Sequence, residues 1–239
     1  MIGISAVSAE DINQTDDSLE ITDSDAVSVD ESTVKSFTNL SQAVDKSEVD
    51  LNIESDYKFD SSTDKNFTNG IKININPQGT YTIYGNNHVI DADNKAGVFK
   101  FYNGKVIMNN LKITNTNMSS IILVNCELHT NNVTFENCHD ASEGAAIYAE
   151  NGGYFSSHDK FINNYADNGA SIFSKVVGKS SSVINIDNST FISNKPVNWG
   201  LIYGYDSLIT INNTVFANMT SRYATAIYGE GIRLTVLNS

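Results

Sequence analysis

Three columns of residues recur in phase along this chain, and they restrict its fold more than any other feature. Large apolar residues stand at Ile90, Ile113, Phe135, Phe161, Phe191 and Phe216, separated by 23, 22, 26, 30 and 25 residues. Three places before them stand Asn87, Asn110, Asn132, His158, Asn188 and Asn213. A second apolar column, 8 to 12 residues after the first, reads Val98, Ile122, Ile147, Ile172, Ile202 and Ile227. The residue that follows each of these is Phe99, Leu123, Tyr148, Phe173, Tyr203 or Tyr228. A period of about 20–30 residues carried by strand-like segments means a solenoid.

Leucine-rich repeats need a leucine framework and a helical back, for which this chain has too few leucines. The segments instead alternate apolar and polar residues, as from Val183 to Ile186 and from Leu208 to Ile211, with Asn, Gly and Ser at the bends. That is strand and turn chemistry. The reading is an all-β, right-handed parallel β-helix of six or more coils, each of about 25 residues and three short strands, with coils stacked about 4.8 Å apart. One coil cannot bury its own apolar face, so the pattern has to recur. The stack also accounts for the 31 asparagines. Asn repeats above itself, hydrogen-bonds along the ladder and tolerates left-handed backbone at bends. The one 30-residue step is assigned to a polar corner loop from Ser174 to Ser182.

An open first coil exposes strand edges, so a cap is expected. Phe37, Leu40 and Val44 have helical spacing behind Ser36, a suitable N-cap. This predicts a capping helix over 36–47, followed by a strand from Val49 to Ile53, within a β-helix spanning 36–239. The last residues repeat an earlier strand but stop before its aromatic residue. The expectation is a chain ending within a coil, with further coils or another domain beyond Ser239.

The first nine residues read as the remnant of an export signal ending in an Ala6–Ala9 cleavage pattern. Residues 10–35 hold nine acidic side chains between Glu10 and Glu31 and few large apolar ones, the composition of a disordered spacer. The expected location is secreted or cell-surface. Eight Asn-x-Ser/Thr sites suit a glycoprotein: Asn13, Asn39, Asn66, Asn117, Asn132, Asn188, Asn212 and Asn218. Cys126 and Cys138 could pair after export, although their spacing does not require it; packed free thiols are the alternative. The net charge of −13 argues against a nucleic-acid partner, and no apolar run is long enough for a transmembrane helix.

The motifs resemble those of the adhesin-like β-helix proteins of methanogenic archaea. More remotely, they are similar to polymorphic outer-membrane proteins built on GGAI and FxxN elements. The FxxN matches run from Phe161 to Asn164 and from Phe191 to Asn194, and the GGAI-like elements end at Ile147, Ile172 and Ile202. The second glycine of GGAI is replaced throughout, and Phe135 and Phe216 are followed by Asn at the second place rather than the third. The resemblance covers about Ser36 to Ser239 and implies a surface-located β-helix.

Carbohydrate-processing β-helices, lyases or glycosidases, are the rival reading. Lyases of this shape use an Arg or Lys base beside carboxylates that hold calcium, yet the chain has only Arg222 and Arg233, neither near an acidic pair in sequence. Asp91 and Asp93 are the best local carboxylate pair, and they also suit a turn. His88, His129, His139 and His158 lack zinc spacing, and no catalytic triad or cofactor motif is legible. The chain therefore reads as a binding or stalk module rather than an enzyme. With the isoleucine column pointing inward, Tyr148, Phe173, Tyr203 and Tyr228 point outward as a half-exposed stripe of one ring per coil. Such rings can stack on one another, or form a platform for sugars or a partner surface, widened by Trp199 and Tyr205.

Overall fold

The computed structural model describes residues 2–4, 34–178 and 182–239. It is a parallel β-solenoid with three faces. Face A stacks seven parallel strands: Asn69–Asn74, Gly97–Tyr102, Ile121–Val124, Ile147–Glu150, Ile172–Lys175, Ile202–Tyr205 and Ile227–Glu230. Face B runs from Asp50–Asn52 to Arg233–Leu237, and face C from Tyr57–Lys58 to Val215–Ala217. The chain passes from A to B to C in each coil. Strands Lys105–Thr114 and Glu127–Glu136 each serve both B and C, bending between them.

The bends explain the asparagines. Between B and C the corner residues Asn87, Asn110, Asn132, His158, Asn188 and Asn213 all have left-handed backbone, with φ of 45–63°. The A-to-B corner uses Asn103, Asn125, Asn151 and Asp206, and the corner leaving C uses Asn115, Asn137, Asn163 and Asn218, all with φ of 51–61°. Most L-residues lose about 1–2 kcal/mol in this conformation, and Asn loses less because its short amide bonds locally. One such bond climbs the stack, from Asn132 Nδ2 to Asn110 Oδ1 at 2.8 Å.

The first apolar column forms the continuous interior of face C. Ile90, Ile113, Phe135, Phe161, Phe191 and Phe216 pair in register from coil to coil. All are buried except the half-buried Phe216. The rings stack: Phe135 to Phe161 at 5.3 Å, Phe161 to Phe191 at 4.3 Å and Phe191 to Phe216 at 4.9 Å between centroids. The second column needs correction. Phe99 pairs with Ile121 and Ile121 with Ile147, so these point inward, whereas Ile122 belongs with Lys100 and Tyr148 outside. Val98, Phe99, Ile121 and Ile122 form two apolar doublets, in which alternation alone cannot tell the inner residue from the outer one.

The expected cap is present as helix Phe37–Lys46, with Ser36 as N-cap in a capping box with Asn39 and with Phe37, Leu40 and Val44 buried. Its N-terminus has a second cap, from the fully buried Asp64. That carboxylate accepts hydrogen bonds from Phe37 N at 2.9 Å, Thr38 N at 2.8 Å, Thr38 Oγ1 at 2.7 Å and Asp60 N at 2.8 Å. Burial opposes ionisation of Asp64, but these bonds outweigh it and hold the carboxyl below the ordinary range.

Two boundaries shift. Ser174 and Lys175 belong to face A and Ser182 to face B, so the loop from Ser174 to Ser182 narrows to 176–181, with 179–181 outside the described residues. At the start, Ile2–Ile4 pairs antiparallel with Ile227–Glu230, and Lys35 bridges to Tyr57. Residues 5–33, which carry most of the expected spacer and the Asn13 site, lie outside the described residues.

Candidate functional site

The outer column of face A pairs in register as Lys72, Lys100, Ile122, Tyr148, Phe173, Tyr203 and Tyr228. The four expected aromatic residues are thus brought together, with an aliphatic and two cationic residues beneath them. Their centroids are 5.7 Å apart from Tyr148 to Phe173, 5.0 Å from Phe173 to Tyr203 and 5.0 Å from Tyr203 to Tyr228, with interplanar angles of 16°, 30° and 42°. At this spacing each ring face is covered by the next ring, and edges and hydroxyls are what remain for solvent. The expectation of half exposure fails for two members: Phe173 is 5% exposed and Tyr228 6%. The glycines of the GGAI-like turns lie against the stripe, since a Cβ on Gly144 would sit 2.9 Å from Phe173 Cβ and one on Gly169 2.9 Å from Tyr203 Cβ.

Carboxylates hold the phenols. Tyr148 OH donates to Glu150 Oε2 at 3.3 Å, while Lys175 pairs with Glu150 at 3.6 Å and lies over the Tyr148 ring. Glu230 Oε1 accepts from Tyr203 OH at 3.1 Å and from Tyr228 OH at 3.5 Å. Burial first, and neighbouring carboxylates second, push the Tyr203 and Tyr228 hydroxyls above their usual range. Burial likewise raises Tyr148. The three phenols therefore remain neutral hydrogen-bond donors at any physiological pH.

Trp199 stands edge-on to Tyr228 at 4.8 Å and 60°, and it stacks on Tyr223 at 4.1 Å and 12°. Tyr223, absent from the sequence reading, is 52% exposed, with Arg222 over its ring. A short parallel pairing of Val197–Trp199 with Ser221–Ala224 brings it there. Its position 24 residues after Trp199, in phase with the repeat, was the available signal. Tyr205 lies further along the Tyr203 strand, 43% exposed and opposite Glu230. Together these residues make an aromatic surface around the upper part of face A.

The residues of the enzymatic alternative are dispersed. Asp93 sits at φ 51° and donates its N–H to Asp91 Oδ1 at 2.9 Å, a turn in which Asp91 also accepts from Asn115 Nδ2. His88 bonds Asp56, His129 stacks on Phe155, His139 stacks on Tyr165, and His158 fills an asparagine corner. Arg233 lies on the last strand of face B, and Arg222 lies over the Tyr223 ring. Cys126 and Cys138 are buried and unbridged, and burial pushes their thiols up to about 12 and about 11. Such thiols are inert. Among the described residues, no three His, Cys, Asp or Glu are grouped to hold a metal ion, and no helix is long and apolar enough to cross a membrane.

Of the described candidate glycosylation sites, Asn39, Asn66, Asn117, Asn132, Asn188 and Asn218 are exposed. Asn212 is half-buried and donates its amide to Asp187 at 2.7 Å. No protein-family model, curated protein sequence or solved structure matches the chain.

Proposed function

We propose that the chain is a rigid binding or stalk module of an adhesin-like protein, secreted or displayed at the cell surface, which contacts glycans or a neighbouring surface through the upper part of face A. The observation that carries this reading is the cluster of Tyr203, Tyr228, Trp199 and Tyr223. There a stack of rings with anchored hydroxyls ends in the exposed Tyr223, and the exposed Tyr205 closes the strand that carries Tyr203. Large, rigid rings with a polar tip give contact area at low entropic cost. The export-like first residues, the exposed sequons and the resemblance to adhesin-like proteins support the location.

The roles of the rings divide. Tyr148, Phe173 and Tyr228 serve mainly as a stacked spine, whereas Tyr223 and Tyr205 make the contact. The test is retention of the full chain on a panel of immobilised polysaccharides. Tyr223→Ala and Tyr205→Ala are expected to weaken retention by about 5- to 30-fold each, as contact rings do, with melting temperature unchanged. Unchanged retention in both variants would refute the assignment.

A further inference from the structure

A second feature lies at the corner that precedes face A. Where the chain leaves face C, a groove of about 620 Å³ is lined by corner and loop residues of successive coils. Asn94, Asn115 and Asn137 line it with left-handed backbones at φ 56°, 54° and 52°. Asn94 and Asn137 are exposed, and their side chains make no hydrogen bond to another described residue. Beside them His139 and Tyr165 stack at 5.5 Å and 10°, and Lys195 lies at the rim with no ion pair among the described residues. His139 Nδ1 bonds Asn117 Oδ1 at 3.2 Å, and Tyr165 OH donates to Asp167 at 3.3 Å, so the two rings are held from both sides. None of the lining residues is a carboxylate, on a chain whose net charge is −13.

We propose that this groove binds a linear, uncharged oligosaccharide along the solenoid axis, one sugar unit per coil. The amides of Asn94 and Asn137 each offer a donor and an acceptor together, the pair that adjacent sugar hydroxyls require, and between them Asn115, whose Nδ2 donates to Asp91 Oδ1 at 3.0 Å, keeps its Oδ1 as an acceptor. The amides recur at the strand spacing of about 4.8 Å, close to the length of one pyranose unit in an extended chain. The His139–Tyr165 stack supplies an apolar wall for the C–H faces of a sugar, and Lys195 donates to an oxygen at the rim. A polyanion is disfavoured, because one lysine does not offset the repulsion of a strongly acidic molecule. A long apolar peptide is disfavoured too, since free amides would be left unpaired beneath it.

The groove shares no lining residue with the face A ring cluster, although Asp167 links the two by accepting from Tyr165 OH and from Asn198 Nδ2, so its test uses variants of the groove's own residues. The full chain is titrated calorimetrically with three hexasaccharides: β-1,4-linked glucose, β-1,4-linked mannose and α-1,4-linked galacturonate. Asn137→Gly keeps the left-handed corner while removing the amide, Lys195→Ala changes an exposed side chain, and Tyr165→Ala removes the wall. At least one neutral hexasaccharide is expected to bind more tightly than the galacturonate. Binding should fall about ten-fold in Tyr165→Ala and several-fold in Asn137→Gly and Lys195→Ala, with no change in Tyr223→Ala. No binding of either neutral sugar overturns the proposal. So does binding that survives both Asn137→Gly and Lys195→Ala. A loss confined to Tyr223→Ala overturns it while leaving the face A reading in place.

Discussion

Removing the Phe161 ring puts the stacked interior to its most demanding test. The ring is 1% exposed, sandwiched between Phe191 at 4.3 Å and 5° and Phe135 at 5.3 Å and 16°, with Tyr154 edge-on at 6.3 Å. Truncating a buried Phe to Ala costs about 3–5 kcal/mol, depending on how far the surroundings collapse into the space. Collapse is blocked here, because Lys160–Ile162 is paired on both edges, to Thr134–Glu136 and Thr190–Ile192, and the ladder fixes the coil spacing. Phe161→Ala therefore belongs at the top of the range, about 5 kcal/mol. Phe216 is half-buried with one stacked neighbour in the column, so Phe216→Ala should cost about 2 kcal/mol. In the Phe161→Ala/Phe191→Ala double variant, the second truncation finds its partner already gone. The combined loss should fall short of the sum by about 1 kcal/mol. Guanidinium unfolding followed by circular dichroism measures the wild type, the single variants Phe161→Ala, Phe191→Ala and Phe216→Ala, and the double variant. A Phe161→Ala loss no larger than that of Phe216→Ala would refute the continuous stack.

Two carboxylates, both withdrawn from solvent, should respond oppositely to pH. Asp64 has a folded value below the unfolded one, so its contribution is present above about pH 4 and is lost as pH falls through the folded value. Asp64→Asn turns one acceptor into a donor facing either the Phe37 and Asp60 amides or Thr38. It should cost about 2–3 kcal/mol at neutral pH, a deficit that shrinks in acid and is read from melting curves. Burial raises Asp159, despite hydrogen bonds from Ser156 Oγ, Thr130 Oγ1, Val133 N and Tyr154 OH. Its contribution is fully present below about pH 4 and is lost as pH rises through the folded value. Asp159→Asn should flatten that part of the pH–stability profile, and an unchanged profile would show that the group does not titrate there.

The coil register was legible because the column from Ile90 to Phe216 needs the same kind of residue at every step. The cap was legible because Ser36, Phe37, Leu40 and Val44 obey local helix rules. Register failed where two apolar residues adjoin, at Val98 and Phe99 and at Ile121 and Ile122. The FxxN departures also become intelligible. The second-place Asn137, Asn163 and Asn218 form a left-handed corner. The third-place Asn164 is instead buried, accepting from Cys138 N at 2.9 Å and donating to Phe135 O at 3.1 Å. At the candidate site, alternation revealed which rings point outward. It could not show that stacking would cover their faces, or that a loop strand would bring Tyr223 onto Trp199, because both depend on contacts between coils.

The proposed glycan binding rests on the aromatic surface of face A. The most direct measurement is binding of the purified full chain to a glycan array at low and at high salt, beside the Tyr205→Ala/Tyr223→Ala double variant. The expected result is retention on a defined set of glycans, little changed by salt because ring contacts rather than ion pairs carry it, and absent in the double variant for every glycan other than the neutral chains held by the corner groove. No retention on any glycan, or retention that vanishes in salt and is indifferent to the two tyrosines, would rule out glycan binding through face A.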